Sequence, residues 1–115
     1  MRVTNAPASR KRRRSRLELA KGFYGARSKL FRTATEAVDR AMRLATEHRK
    51  LKKRDFRKLW IARINAASRA EGISYSRLVA GLIKAGVTLN RKMLSEIAIQ
   101  DPAGFKTIVE IAKNA

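Results

Sequence analysis

Apolar residues recur at helical spacing over most of the chain, and this pattern predicts α-helices. Between Ala26 and Glu71 there is no glycine and no proline, and alanine, leucine, lysine, arginine and glutamate dominate. These residues favour helices, so we predict one long helix over most of this span. Its second half carries Phe56, Trp60 and Ile64 at four-residue intervals, on one side of the helix. Its first half has only a thin apolar stripe, at residues 34–45.

Three shorter helices are predicted after the long one by the signals at their ends. Gly72 and Gly86 each follow an apolar helical segment, the position where a left-handed residue ends a helix. The three helices are expected to open on the N-caps Ser74, Asn90 and Asp101. Their apolar faces are expected to contain Tyr75, Leu78, Val79, Leu82, Ile83, Met93, Leu94, Ile97, Ala98, Phe105, Ile108, Val109 and Ala112.

The pattern therefore predicts an all-α fold in two parts. Residues 1–57 are expected to form a long basic helical extension, with an irregular arm at residues 1–9, a short helix and the first part of the long helix. Residues 58–115 are expected to form a small compact helical domain. The predicted core consists of Phe56, Trp60, Ile64, Leu78, Leu82, Leu94, Ile97, Phe105 and Val109.

Charge separates the two parts further. The chain of 115 residues has a formal net charge of +19. Of its 28 lysines and arginines, 20 lie in residues 1–60, against 5 of its 9 acidic residues. Such a charge repels itself unless a polyanion neutralises it, and nucleic acid is the first candidate. Within the long helix, Glu36–Arg40 and Asp39–Arg43 have the spacing of weak i,i+4 ion pairs.

Two N-terminal segments carry the chemistry of a nucleic-acid contact. Residues 10–16 are almost purely basic and rich in arginine, whose guanidinium group binds phosphate with two parallel hydrogen bonds. A merely solvated tail is the alternative for this segment. At residues 21–28, two glycines enclose Phe23 and Tyr24 and should interrupt any helix. These rings either belong to a core or stack on nucleotide bases.

Catalysis and metal binding are not predicted. The chain has no cysteine and a single histidine, and its acidic residues are scattered. No paired carboxylates, no serine–histidine–aspartate grouping and no metal-ligand spacing occur in the sequence. We therefore predict a protein that is not an enzyme and has no metal, cofactor or small-molecule substrate. No apolar run is long enough to span a bilayer, and no signal peptide is apparent, so we predict an intracellular protein.

Several kinds of polyanion remain as partners at this stage. The third short helix begins with Asn90, Arg91 and Lys92, which leaves open a helix that reads a DNA groove. Most of the charge lies on a long arm instead, which can follow phosphates through a folded RNA. RNA is therefore favoured over an architectural DNA-binding function. A membrane-surface helix is weakly supported, since the long helix lacks a broad apolar face beside its charges.

Four segments closely resemble the L-twenty family of bacterial large-subunit ribosomal proteins. They are Lys21-Gly22-Phe23-Tyr24-Gly25-Ala26-Arg27-Ser28, the segment from Lys53 to Ala67 centred on Trp60, Gly72-Ile73-Ser74-Tyr75-Ser76, and Leu89-Asn90-Arg91-Lys92. The resemblance covers nearly the whole chain, in order and at family spacing.

The resemblance implies a structural protein of the large ribosomal subunit that binds 23S ribosomal RNA (rRNA) directly and supports early assembly. It also implies an extension threaded through RNA and a globular domain at an RNA helix junction. Such a protein would be a cytoplasmic, ribosome-bound monomer beside neighbouring large-subunit proteins. Some members of the family repress translation of their own messenger.

Together, charge and resemblance define the expected RNA-binding residues. Phe23 and Tyr24 would stack or wedge, and the cations would neutralise phosphates where RNA segments converge. The expected residues are Arg10, Lys11, Arg12, Arg13, Arg14, Arg16, Lys21, Gly22, Phe23, Tyr24, Gly25, Arg27, Ser28, Lys29, Arg32, Arg49, Lys50, Lys52, Lys53, Arg54, Arg57, Lys58, Arg63, Arg91 and Lys92.

Overall fold

The computed structural model describes Arg2 and residues 4–115, and the regular structure in that part of the chain is entirely helical. The all-α prediction is therefore confirmed. The helices are α1 (Ala6–Leu19), α2 (Ala26–Lys29), α3 (Phe31–Ala70), α4 (Tyr75–Lys84), α5 (Arg91–Gln100) and α6 (Pro102–Asn114).

Internal contacts divide the chain into two compact units. Unit 1 extends to Lys50, and unit 2 runs from Leu51 to Ala115. Helix α3 contributes its first part to unit 1 and its last part to unit 2. The functional boundary predicted after residue 57 stays a prediction.

Unit 2 is built around one cluster of buried apolar side chains. Helix α6 packs against both α4 and α5, and the last turns of α3 complete the cluster. Gly81 permits close approach of α4 and α6, because a methyl group there would overlap the backbone carbonyl of Ala112. The buried members are Ile64, Ile73, Leu78, Leu82, Leu94, Phe105, Val109 and Ala112.

Local signals fix most helix ends of unit 2. Asn90 Oδ1 accepts a hydrogen bond from the Met93 backbone N–H (2.9 Å), and Asp101 Oδ1 accepts one from Gly104 N–H (2.9 Å). Both capping predictions are confirmed. Ser74 stands at the N-cap of α4, but its side chain makes no capping hydrogen bond, so that part of the prediction is wrong.

A left-handed glycine, Gly72, follows the end of α3 as predicted, and the hydrogen bonds there form a Schellman motif. The φ angle of Gly72 is 76°, a conformation that costs little without a Cβ atom. The Gly72 N–H donates to the Arg69 carbonyl (3.0 Å), and the Ile73 N–H donates to the Ser68 carbonyl (3.0 Å). Lys113 Nζ donates to the Glu71 carbonyl (2.7 Å), so this carbonyl at the helix end also has a partner.

Several predicted core positions lie outside the core. Phe56 is 43% exposed, and Trp60 is half-buried without belonging to the cluster. Ile97 is half-buried and packs against the cluster from its edge. On the predicted apolar faces, Ile83 and Met93 are exposed. Each four-residue step along a helix turns by roughly 40° and advances roughly 6 Å, so the row from Ile64 back to Phe56 leaves the surface that α4–α6 cover.

Unit 1 has a core that the sequence analysis did not predict. Ala20, Ala34 and Val38 are buried together, with Leu17 and Phe23 packed against them. This cluster joins α1 to the first turns of α3. The two helices are separated by a turn with φ angles of 88° at Gly22 and 58° at Gly25, the interruption expected there.

Two details of unit 1 differ from the prediction. Helix α1 begins at Ala6, with Pro7 in its first turn where proline is tolerated, so an irregular arm is wrong for residues 6–9. Of the remaining arm, Met1 and Val3 lie outside the described residues. The long helix is also interrupted at Leu30, whose extended backbone (φ −83°, ψ 122°) separates α2 from α3.

Candidate nucleic-acid interface

Helix α1 presents a run of exposed cations. Arg10, Lys11, Arg12, Arg13 and Arg14 are all exposed, and no carboxylate pairs with any of them in the described part of the chain. Arg12 reaches the Ser9 hydroxyl (3.4 Å), and the Arg13 guanidinium carbon lies 5.9 Å from the centre of the Phe31 ring. These contacts leave most guanidinium N–H groups available for phosphate.

Arg16 differs from the other cations of α1. Its guanidinium group pairs with the Asp39 carboxylate of α3, and its side chain is about a third exposed. The position predicted to bind phosphate is therefore engaged inside unit 1. The other ion pair of the described chain joins Arg43 to Glu47 (3.1 Å). The predicted pairs Glu36–Arg40 and Asp39–Arg43 do not form, so that prediction is wrong.

The two aromatic residues of the glycine turn have different environments. Phe23 is half-buried against the small core of unit 1, which supports the core alternative for this ring. Tyr24 is 93% exposed. Both rings line an open groove of about 680 Å³, together with Arg27, Thr33, Glu36, Ala37, Arg40, Ala41 and Leu44.

The remaining cations of unit 1 lie on its surface. Arg49 donates to the Thr46 hydroxyl (3.2 Å), whereas the others have no side-chain partner in the described chain. Ser28, also expected at the interface, is half-buried, and its hydroxyl donates to the Gly25 carbonyl (2.9 Å). The exposed cations of unit 1 outside α1 that were predicted to bind RNA are Lys21, Arg27, Lys29, Arg32, Arg49 and Lys50.

Unit 2 brings cations from two helices into one cleft. Its volume is about 440 Å³, and we call it the Trp60 cleft. Helix α3 contributes three cations, and the start of α5 contributes two more beside Asn90. The lining residues are Lys53, Arg54, Arg57, Trp60, Asn90, Arg91 and Lys92. The cleft thus brings together residues of α3 and α5 that are 30 or more positions apart in sequence. None of the cations that line the cleft is paired with a carboxylate in the described chain.

Arg91 is held in position at this cleft. Its Nε donates to the Tyr75 hydroxyl across 2.8 Å in a partly buried setting. This bond restrains the guanidinium group while its two terminal nitrogens have no partner in the described chain. Lys52, Lys58 and Arg63 are exposed on α3, outside the lining of the cleft. Contact of all these residues with RNA stays a prediction.

Five cations of this cleft were among the residues predicted to bind RNA, whereas its other two lining residues, Asn90 and Trp60, were not. Asn90 was expected as a cap and at the start of a helix that could read a DNA groove, and Trp60 was assigned to the core. Lys53 and Arg57 were the available signal, because they lie seven and three residues before Trp60 and therefore on a similar side of the helix.

The described residues show neither a metal site nor a membrane span. No group of three or more histidine, cysteine, aspartate or glutamate side chains there could hold a metal ion. No helix in the same part of the chain is long and apolar enough to cross a membrane.

Fold and surface together define a small all-α protein with a strongly cationic exterior, and comparison with known proteins specifies the family. The family model described as Ribosomal protein L20 matches residues 2–108. The large ribosomal subunit protein bL20 of Clostridium botulinum (strain Hall) is 60% identical over 112 residues, covering 97% of this chain and 94% of that protein. The bL20 protein of Syntrophus aciditrophicus (strain SB) is 58% identical over the same length and coverage.

The chain therefore belongs to the ribosomal protein L20 family of the bacterial large ribosomal subunit. It is a structural, non-enzymatic component of the translation machinery. The resemblance recognised in the sequence and the prediction that the chain is not an enzyme are both confirmed.

Proposed function

We propose that this protein binds 23S rRNA of the large subunit directly and supports early assembly of that subunit. It acts as a cytoplasmic, ribosome-bound monomer that contacts neighbouring large-subunit proteins. Membership of the family supports this proposal, as do the names of relatives that match nearly the whole chain. The same surface would also allow the protein to bind its own messenger and repress translation.

The Trp60 cleft is the structural observation that most strongly supports this proposal. Five positive side chains converge there without a carboxylate between them, and they remain mutually repulsive until an anion enters. The open cleft suits a phosphate chain, because guanidinium groups from α3 and α5 can approach the same backbone from two sides. The unpaired arginines of α1 provide a second phosphate-binding surface in unit 1.

RNA fits this arrangement better than duplex DNA. Folded RNA offers converging phosphates and unpaired bases at junctions and bulges, whereas a DNA duplex presents regular grooves. In addition, α5 carries Arg91 and Lys92 in a cleft lined by α3, so its first turn does not stand free as a groove-reading helix. Architectural DNA binding is the competing function that an experiment must exclude.

The proposal is tested by binding the full chain to protein-free 23S rRNA across a salt series, with duplex DNA as competitor. We expect rRNA to be preferred by orders of magnitude. Counterion release predicts that log affinity falls linearly with log salt, with a slope that reports on the order of ten phosphate contacts. Equal binding to rRNA and DNA at every salt concentration would contradict the proposal and favour the DNA-binding function.

A pair of matched variants tests the cleft itself. Arg54→Gln with Arg57→Gln removes two cleft cations, while Arg77→Gln with Lys84→Gln removes two exposed cations of unit 2 outside the cleft. Both variants lose the same net charge. We expect the first to reduce the salt slope by about two and the second to change it little, since each lost phosphate contact lowers the slope by about one. Equal losses would show that the cleft is not the RNA site.

A further inference from the structure

An aromatic pair lies beside the cations of the Trp60 cleft. The ring centres of Phe56 and Trp60 are 6.1 Å apart with their planes tilted by 38°, one helical turn apart on α3. Trp60 lines the cleft, and Phe56 is 43% exposed. Neither residue belongs to the buried cluster of unit 2 or packs against it as a partly buried member. The core of unit 2 therefore does not account for this pair.

The surroundings of the pair indicate what could cover it. The Lys52 ammonium lies 5.9 Å from the centre of the Phe56 ring, so a further cation stands beside this exposed aromatic side chain. Arg57, between the two aromatics in sequence, and Arg91 on α5 both line the adjacent cleft. An apolar protein surface placed here would have to remove water from several cations, which is costly. A nucleotide presents an apolar face for the rings and a phosphate for the cations.

We propose that Phe56 and Trp60 form a stacking platform for an unpaired RNA base, whose phosphate is held by the cations of the Trp60 cleft. This inference rests on the proposed function and adds a base contact to it. Aromatic side chains bind unpaired bases in this way because every base has a π-face, and the contact tolerates changes of base. The platform thus favours a bulge, loop or junction over a continuous duplex, where bases are stacked on each other.

The only tryptophan of the chain is a probe placed at the site itself. The full chain is titrated with protein-free 23S rRNA and, separately, with inorganic polyphosphate, while Trp60 fluorescence is recorded. Polyphosphate supplies charge without bases. We expect rRNA to quench the emission and polyphosphate to leave it nearly unchanged while still binding. Equal responses to the two polyanions would overturn the inference.

Variants separate stacking from charge. Phe56→Leu keeps an apolar side chain and the net charge. Because Phe56 is exposed, we expect unit 2 to remain folded, which circular dichroism can verify. Leu59→Ala is the matched control, since Leu59 is similarly exposed (41%) on the same helix and does not line the cleft. We expect Phe56→Leu to weaken rRNA binding roughly 5- to 150-fold with an unchanged salt slope, as for loss of one stacked base. The control should bind like the original chain.

Substitution of Trp60 provides a second readout. Trp60→Phe preserves a stacking ring and should retain most of the affinity for rRNA. Trp60→Leu should weaken rRNA binding by a factor similar to that expected for Phe56→Leu. If rRNA is preferred over DNA yet Phe56→Leu and Trp60→Leu bind like Leu59→Ala, the platform is wrong and the proposed function stands. If the original chain itself fails to prefer rRNA, the proposed function fails and the platform with it.

Discussion

The two units of this chain are stabilised by cores of different size. Unit 2 buries a cluster of eight apolar residues, seven of which are isoleucine, leucine, valine or phenylalanine. Unit 1 buries only Ala20, Ala34 and Val38, with Leu17 and Phe23 at the edge. Because hydrophobic stabilisation scales with the apolar area removed from water, unit 2 should carry most of the folding free energy.

The difference also concerns charge. In the described part of unit 1, exposed arginines lie along α1, and one ion pair joins α1 to α3. Isolated helices are only marginally stable in water, and like charges weaken them further. Binding of a polyanion would relieve this repulsion and stabilise the folded form by mass action. We therefore expect unit 2 to fold without a partner and the order of unit 1 to depend more strongly on a bound polyanion.

The strongest test of this comparison is Leu78→Ala in unit 2. Leu78 is a fully buried member of the cluster, so its truncation leaves a cavity in the core of unit 2. We expect a loss of about 2–5 kcal/mol in the free energy of unfolding. Urea denaturation followed by circular dichroism measures it.

Ile83→Ala is the control for this variant, because Ile83 lies on the same helix and is 72% exposed. Its effect should stay within about 0.5 kcal/mol. Similar losses for the two variants would mean that the cluster is not the source of stability in unit 2.

A smaller effect is expected from Gly81→Ala. In an open helix position this change would stabilise by about 1 kcal/mol, because alanine is the better helix former. At Gly81 the added methyl group meets the backbone of Ala112, so α4 and α6 must separate. We expect a net loss of about 1–3 kcal/mol in the same denaturation experiment. A stabilised variant would contradict the close helix approach.

Much of unit 2 was predictable because its signals are local. The caps at Asn90 and Asp101 and the end of α3 at Gly72 follow from single side chains and backbone angles. Trp60 was placed wrongly for a physical reason. Helical spacing shows that Trp60 and Ile64 lie on similar sides of α3, but not how far along that side the other helices reach. Coverage of a helix face is a tertiary property.

The core of unit 1 was not predictable from its residue types. Ala20 and Ala34 are small enough to be common on exposed helices, and Val38 alone does not define a face. Their burial results from the turn at residues 21–25, which brings α1 against α3 and places together residues far apart in sequence. The same nonlocal contact pairs Asp39 with Arg16 instead of the expected Arg43, which pairs with Glu47.

Val38→Ala tests how much the small core contributes to the stability of unit 1. Val38 is the largest buried side chain of that core. Removing its two methyl groups should cost about 1–2 kcal/mol of local stability at about 0.8 kcal/mol per buried carbon. Amide hydrogen exchange should accelerate in α1 and the first turns of α3. Exchange in α4–α6 is the internal control and should not change. Unchanged exchange in α1 would show that this small core does not order unit 1.

The smallest effect is expected at the ion pair between Arg16 and Asp39. The Asp39 side chain is 64% exposed and that of Arg16 is 32% exposed, so water and salt screen their attraction. Arg16→Gln should therefore reduce the local stability of α1 by only about 0.2–1 kcal/mol. A double-mutant cycle with Asp39→Asn, read by hydrogen exchange in α1, isolates the contribution of the pair.

Arg14→Gln is the control for the loss of charge. Removing an unpaired cation such as Arg14 should instead relieve repulsion and slightly slow hydrogen exchange in α1. If Arg16→Gln behaves like Arg14→Gln at both low and high salt, the pair does not hold α1 against α3, and the small apolar core alone orders unit 1.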